Sequence, residues 1–170
     1  MKKKSTLKMV QLTMLLAMSI VLHMVDQSIH LPVPVPGIKL GLANIMGIMA
    51  LYLFGYKEMI IVNGLRVLLS ALLRGSIFST GFWISMSGVA LSTLVVIVLY
   101  RLLKDSIVVL SVFSSIFHSI GQLFMVSYFY QTWGVFWNLP LTLLLCVPVG
   151  ILTGIVAQET LKRVRRNVHG

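Results

Sequence analysis

The sequence predicts an all-α integral membrane protein, a single membrane domain over residues 1–170 built as a bundle of six transmembrane helices. Of its 170 residues, 58% are hydrophobic and only 11% charged, which excludes a disordered chain and an ordinary soluble domain. Apolar stretches that meet or approach roughly 20 residues, the length a helix needs to cross about 30 Å of hydrocarbon, recur along the chain. The 14 Lys plus Arg against 4 Asp plus Glu give a formal +10. In so apolar a chain these cations act as topology signals, not as a nucleic-acid footprint.

The first span runs from about Met9 to Gln27. Its opening Met-Lys-Lys-Lys and the small-x-small triplet Ala17-Met18-Ser19 imitate a signal peptide, but the apolar run continues to Val25, so the segment is expected to remain as a helix. A loop, Leu31-Pro32-Val33-Pro34-Val35-Pro36-Gly37, follows, and its three alternating prolines cannot continue a helix. The second span is expected from about Ile38 to Tyr56 and the third from Glu58 to Arg74, joined so tightly by Lys57-Glu58 that they form an antiparallel hairpin. The fourth covers Gly81 to Tyr100, the fifth Ser106 to Tyr130 and the sixth Leu139 to Glu159. With six spans, Lys2, Lys3, Lys4, Lys8, Lys57, Arg101, Lys104, Lys162, Arg163, Arg165 and Arg166 share one side, against Lys39 and Arg74 opposite. That asymmetry predicts a multi-pass membrane protein with both termini cytoplasmic, and the expected location is a bacterial cell membrane.

Arg66 lies near the centre of the third span, where a lone charge costs at least ~2.5 kcal/mol, so it needs a partner or a wet cavity. Asn63, Arg66, Ser70 and Arg74 fall on one helical face, a polar stripe suited to an anionic ligand or to structural ion pairing. A second stripe, Ser111, Ser114, Ser115, His118 and Gln122, marks the fifth span and belongs inside the bundle, for ligand contact or interhelical bonding. Gly81, Ser85, Gly88 and Ser92 make a small-residue stripe on the fourth, suited to close helix packing. His23, Asp26 and His30 have i, i+3, i+7 spacing that suits metal ligands, yet Pro32 can end the helix before His30 and Asp26 serves equally to offset a cation. No metal and no cofactor are therefore expected.

Missing motifs narrow the function. No Gly-x4-Gly-Lys-Ser/Thr loop is present for binding ATP. Asp26, Glu58, Asp105 and Glu159 are too dispersed to hold magnesium and diphosphate, and neither a nucleophile elbow nor a His-Glu-x-x-His helix occurs. Cys146 alone supports neither a disulfide framework nor a zinc cluster. The chain is expected not to be an enzyme.

The stretch Pro34-Val35-Pro36-Gly37-Ile38-Lys39-Leu40-Gly41-Leu42-Ala43-Asn44-Ile45, after one apolar helix and a proline-rich loop, resembles the Gx transporter family. Many members of that family carry the label heptaprenyl diphosphate synthase component I. It is similar, more loosely, to the substrate-binding S components of energy-coupling factor vitamin transporters. In that motif Pro34, Pro36, Gly37 and Gly41 shape the loop, while Lys39 and Asn44 face a cavity. The S-component resemblance implies a six-helix protein that captures a scarce compound from outside and works with a transmembrane coupling subunit and two ATPases. It also implies docking through a small-residue face of the first helix, where the register Thr13, Ala17 and Val21 keeps Ala17 as the small residue.

The expected function is a substrate-binding transport subunit with an outward cavity lined by Lys39, Asn44, Asn63, Arg66, His118 and Gln122. Its cargo would be a small anionic molecule with an apolar or ring portion, vitamin-like, flavin-like or an isoprenoid or quinone precursor. Phe82, Trp83, Tyr128, Trp133 and Trp137 supply aromatic surface, for cargo or for an interfacial belt. The competing expectation is a non-catalytic membrane accessory subunit of a prenyl diphosphate or quinone pathway enzyme. Beyond cargo, the expected partners are the lipid bilayer and the coupling subunits, and no nucleic acid.

Overall fold

A computed structural model describes residues 2–29, 38–102 and 106–169. These form six α-helices and no strand: α1 Lys2–Ser28, α2 Asn44–Phe54, α3 Tyr56–Leu73, α4 Thr80–Leu102, α5 Ile107–Tyr130 and α6 Leu139–His169, with a 3-10 segment Trp133–Asn138 ahead of α6. His30, the loop residues Pro34, Pro36 and Gly37, and Lys104 lie outside the described residues. Four segments, Thr6–Ser28, Thr80–Leu102, Ile107–Tyr130 and Trp133–Val164, are long and apolar enough to cross a membrane. Such helices suit a bilayer because each satisfies its own backbone hydrogen bonds.

The second expected span differs from the structure in a way that has a local cause. Only its 11 residues from Asn44 to Phe54 are helical, about 16 Å of rise, and residues 38–43 stay outside the helix yet are largely buried. Gly41 takes φ +81°, a left-handed conformation that a helix cannot include. The Asp26 carboxylate at the end of α1 meanwhile accepts the N–H groups of Leu40 at 3.0 Å, Gly41 at 2.8 Å and Leu42 at 3.2 Å. Held this way, the segment enters the bundle as a short irregular stretch, tolerable at depth because protein groups satisfy its donors.

The expected hairpin is present, with its turn two residues before Lys57. Gly55, at φ +114°, ends α2 by donating to Ala50 O and Leu51 O. Gly47 lies against Asn63, Leu51 packs with Met59, and Asn44 bonds Arg66, pairings that run outward from Gly55 and make α2 and α3 antiparallel. Glu58, in the first turn of α3, pairs with Lys8 of α1, whose ammonium lies 5.9 Å from the Phe54 ring centre.

Close backbone approach holds the other half together. A Cβ at Gly121 of α5 would fall 2.8 Å from Ser87 O and 2.9 Å from Gly88 Cα of α4, and one at Gly154 of α6 would fall 2.7 Å from Val108 Cα of α5. Thus α5 sits between α4 and α6 and buries its serine stripe, Ser111, Ser114 and Ser115. By contrast α1 leaves Met9, Met14, Met18, Val21 and Val25 exposed, a face that suits lipid.

Candidate functional site

At one end of the bundle, where α1 and α3 finish and α4 begins, a cavity of about 260 Å³ opens. Its lining is His23 and Gln27 of α1, Lys39 of the irregular segment, Val67, Ser70, Ala71 and Arg74 at the end of α3, Ser76 and Ser79 of the following loop, and Gly81, Phe82 and Ser85 of α4. Two cations thus face it with no carboxylate among the lining residues. Four serine hydroxyls and the Gln27 amide add neutral hydrogen-bonding groups, while Phe82, Val67 and Ala71 give it an apolar wall. The combination fits a small anion that also carries apolar surface.

Lys39 is the best-positioned of these groups. Its backbone N–H donates to Gln122 Oε1 at 3.0 Å, and the neighbouring peptides are held by Asp26. Its ammonium donates to Ser85 Oγ, which itself donates to Gly81 O at 2.7 Å. Lys39 is only 6% exposed, so an ammonium that cannot swing into bulk water is aimed across the cavity wall. The Gln27 amide nitrogen and His23 Nε2 lie 2.9 Å apart on the facing wall. Arg74, exposed at the end of α3, guards the mouth.

The six residues expected to line the site separate into three groups. Lys39 lines the cavity. Asn44, Arg66, His118 and Gln122 lie outside its lining in a closed cluster, each 5% exposed or less. There Arg66 Nη2 donates to Asn44 Oδ1 at 3.0 Å, and His118 lies next to Asn44 across Gly41. Asn63 faces another way, donating to Thr93 Oγ1 at 2.9 Å in an apolar groove between α3 and α4. The α3 stripe does run from buried Asn63, Arg66 and Ser70 to exposed Arg74.

Several lining residues went unassigned in the sequence. Within the small-residue stripe of the fourth span Gly88 packs tightly against α5, while Gly81 and Ser85 face the cavity. His23 and Asp26, whose spacing suits metal ligands, have other partners: His23 Nε2 lies 2.9 Å from the Gln27 amide nitrogen. Asp26 instead spends both oxygens on three backbone N–H groups. Of the aromatic candidates Phe82 lines the cavity, while Trp133 and Trp137 are 73% and 89% exposed, as side chains at a membrane interface are. Ala17 is exposed on α1 and lines an apolar groove of about 540 Å³ with Met18 and Val21, facing Leu152 and Val156 of α6.

A family model described as heptaprenyl diphosphate synthase component I matches residues 15–160. No curated protein and no solved structure matches the chain.

Proposed function

Since this chain belongs to the heptaprenyl diphosphate synthase component I family, we propose that it is a membrane-embedded, non-catalytic binding subunit for uptake of a small anionic molecule. The observation that carries this reading is the cavity: Lys39 and Arg74 face it, no carboxylate lines it, and an apolar wall adjoins them. In this reading all six helices cross the bilayer, α2 and α3 doing so as a hairpin completed by the buried segment 38–43. The termini and most basic residues lie in the cytoplasm, so the cavity opens outward, where a scarce solute is met. A separate coupling subunit with ATPases supplies the energy, since this chain has no nucleotide-binding loop, and the exposed Ala17 groove on α1 is its docking surface.

The second reading, an accessory subunit of a prenyl diphosphate or quinone pathway enzyme, draws on the family's description. Affinity purification from gently solubilised membranes separates the two: recovery with a coupling subunit and ATPases supports uptake, recovery with a soluble synthase supports the accessory role. Native mass spectrometry of the same material tests the cavity. A co-purified anion that is retained by the wild type and lost from Arg74→Gln supports it, and Arg74 is exposed enough for the variant to fold. Equal retention by both proteins would remove the cavity as the binding site.

A further inference from the structure

The closed cluster beside the cavity has a chemical imbalance of its own. Asn44 Oδ1 accepts from Arg66 Nη2, which leaves the Asn44 amide nitrogen as the free end. Gln122 Oε1 accepts from the Lys39 N–H, which leaves the Gln122 amide nitrogen free in the same way. Neither Nδ2 of Asn44, Nε2 of Gln122, nor Nε and Nη1 of Arg66 has a partner, and His118 Nδ1 is also unpaired. Four of these five atoms can only donate.

These side chains are neighbours around Gly41 and Gly88. A Cβ at Gly41 would lie 2.9 Å from Asn44 Nδ2 and 3.3 Å from His118 Cδ2, and one at Gly88 would lie 2.9 Å from Gln122 Cγ and 3.0 Å from His118 Cε1. Arg66 joins the same group through Asn44. The charges do not balance either. Among the described residues the buried ionised groups are Lys39, Arg66 and Asp26, and Asp26 already holds three backbone N–H groups. Arg66 makes no ion pair among the described residues. One positive charge is left over, in a place where a cation needs a counter-charge.

We propose that the Arg66–Asn44–His118–Gln122 cluster is an anion site that holds one small monovalent inorganic anion of halide type, separate from the cavity that takes the cargo. A halide has no proton to give and accepts from several donors at once, which matches the unpaired donor nitrogens of Asn44, Gln122 and Arg66 and their single excess positive charge. Such an ion would tie α2, α3 and α5 together beneath Lys39. The site does not depend on what the upper cavity binds.

The test is thermal unfolding of the purified full chain in neutral detergent, followed by tryptophan fluorescence, with sodium chloride replaced by sodium gluconate at constant ionic strength. The expected result is a saturable rise in melting temperature with chloride, reproduced by bromide and absent with gluconate. Arg66→Met should lose the response and, in gluconate, melt no lower than the wild type, because it removes an unbalanced charge. Lys39→Met should keep the response. Identical melting of the wild type in chloride and gluconate overturns the proposal, since water then satisfies the donors. A response lost in Lys39→Met but kept in Arg66→Met overturns it by assigning the anion to the cavity. Should Arg66→Met fail to fold, chloride NMR line width decides: broadening relieved by bromide in both the wild type and Lys39→Met supports the site, and no broadening in the wild type overturns it.

Discussion

Asp26→Asn tests the central construction of the molecule. The carboxylate holds three backbone N–H groups, one on Oδ1 and two on Oδ2. Asparagine keeps one acceptor oxygen, so its best orientation retains the bonds from Gly41 and Leu42 and turns an NH2 group toward the Leu40 N–H. A bond to a charged acceptor is worth about 1.5–3 kcal/mol and a neutral one about 0.5–1.5 kcal/mol. Losing one bond outright and weakening two amounts to roughly 3–5 kcal/mol, or about 6–20 °C in melting temperature for a chain of this size. The assay is thermal unfolding in detergent beside Glu159→Gln, which removes only an exposed i,i+4 pair with Arg163 and should leave melting unchanged. If Asp26→Asn melts within about 1 kcal/mol of the wild type, the carboxylate does not hold the segment. The account of why α2 starts late then fails with it.

Four further outcomes follow from the packing and the cavity. Gly121→Ala drives a methyl against the Ser87 carbonyl and Gly88 Cα, both backbone, so α4 and α5 must separate and stability should fall by about 1–3 kcal/mol. Gly64→Ala, with nothing within 4 Å of its Cβ, should be neutral or gain up to about 1 kcal/mol from helix propensity, and melting curves of the two distinguish packing from propensity. Gly41→Ala combines a strained φ with contacts to Asn44 and His118 and should cost at least about 1–2 kcal/mol in the same measurement. Arg74→Gln should weaken binding of an anionic cargo about tenfold, equivalent to ~1.4 kcal/mol, with melting unchanged, as read by titration of the purified protein.

Much of the fold could be read along the chain because long apolar helices declare themselves locally. The fourth and fifth spans, expected at Gly81–Tyr100 and Ser106–Tyr130, lie within two residues of α4 and α5 at both ends. Polar stripes on the third and fifth spans likewise pointed inward, since their hydroxyl, amide and guanidinium groups find no partner in hydrocarbon. The candidate site was less accessible. Periodicity says which face of a helix is polar, but not how far apart two polar faces stand, so it does not show that Arg66 and His118 are buried together outside the lining of the cavity that Lys39 faces. Ser85 reads as a packing residue in the sequence because a hydroxyl in a row of small residues looks like packing until a lysine from a distant segment reaches it.

By itself, then, the sequence determined several helices long and apolar enough to cross a membrane, the all-helical class and the family, because hydropathy and helical period are properties of neighbouring residues. Tertiary structure alone decided where α2 begins, which cations face a cavity and which are sealed away. Those outcomes rest on contacts such as Asp26 with Gly41 and Lys39 with Gln122, 15 and 83 residues apart. A carboxylate gives no local sign of whether it will bind a metal, a lysine or three peptide N–H groups. Only the packing of α1 against the entry to α2 makes that choice.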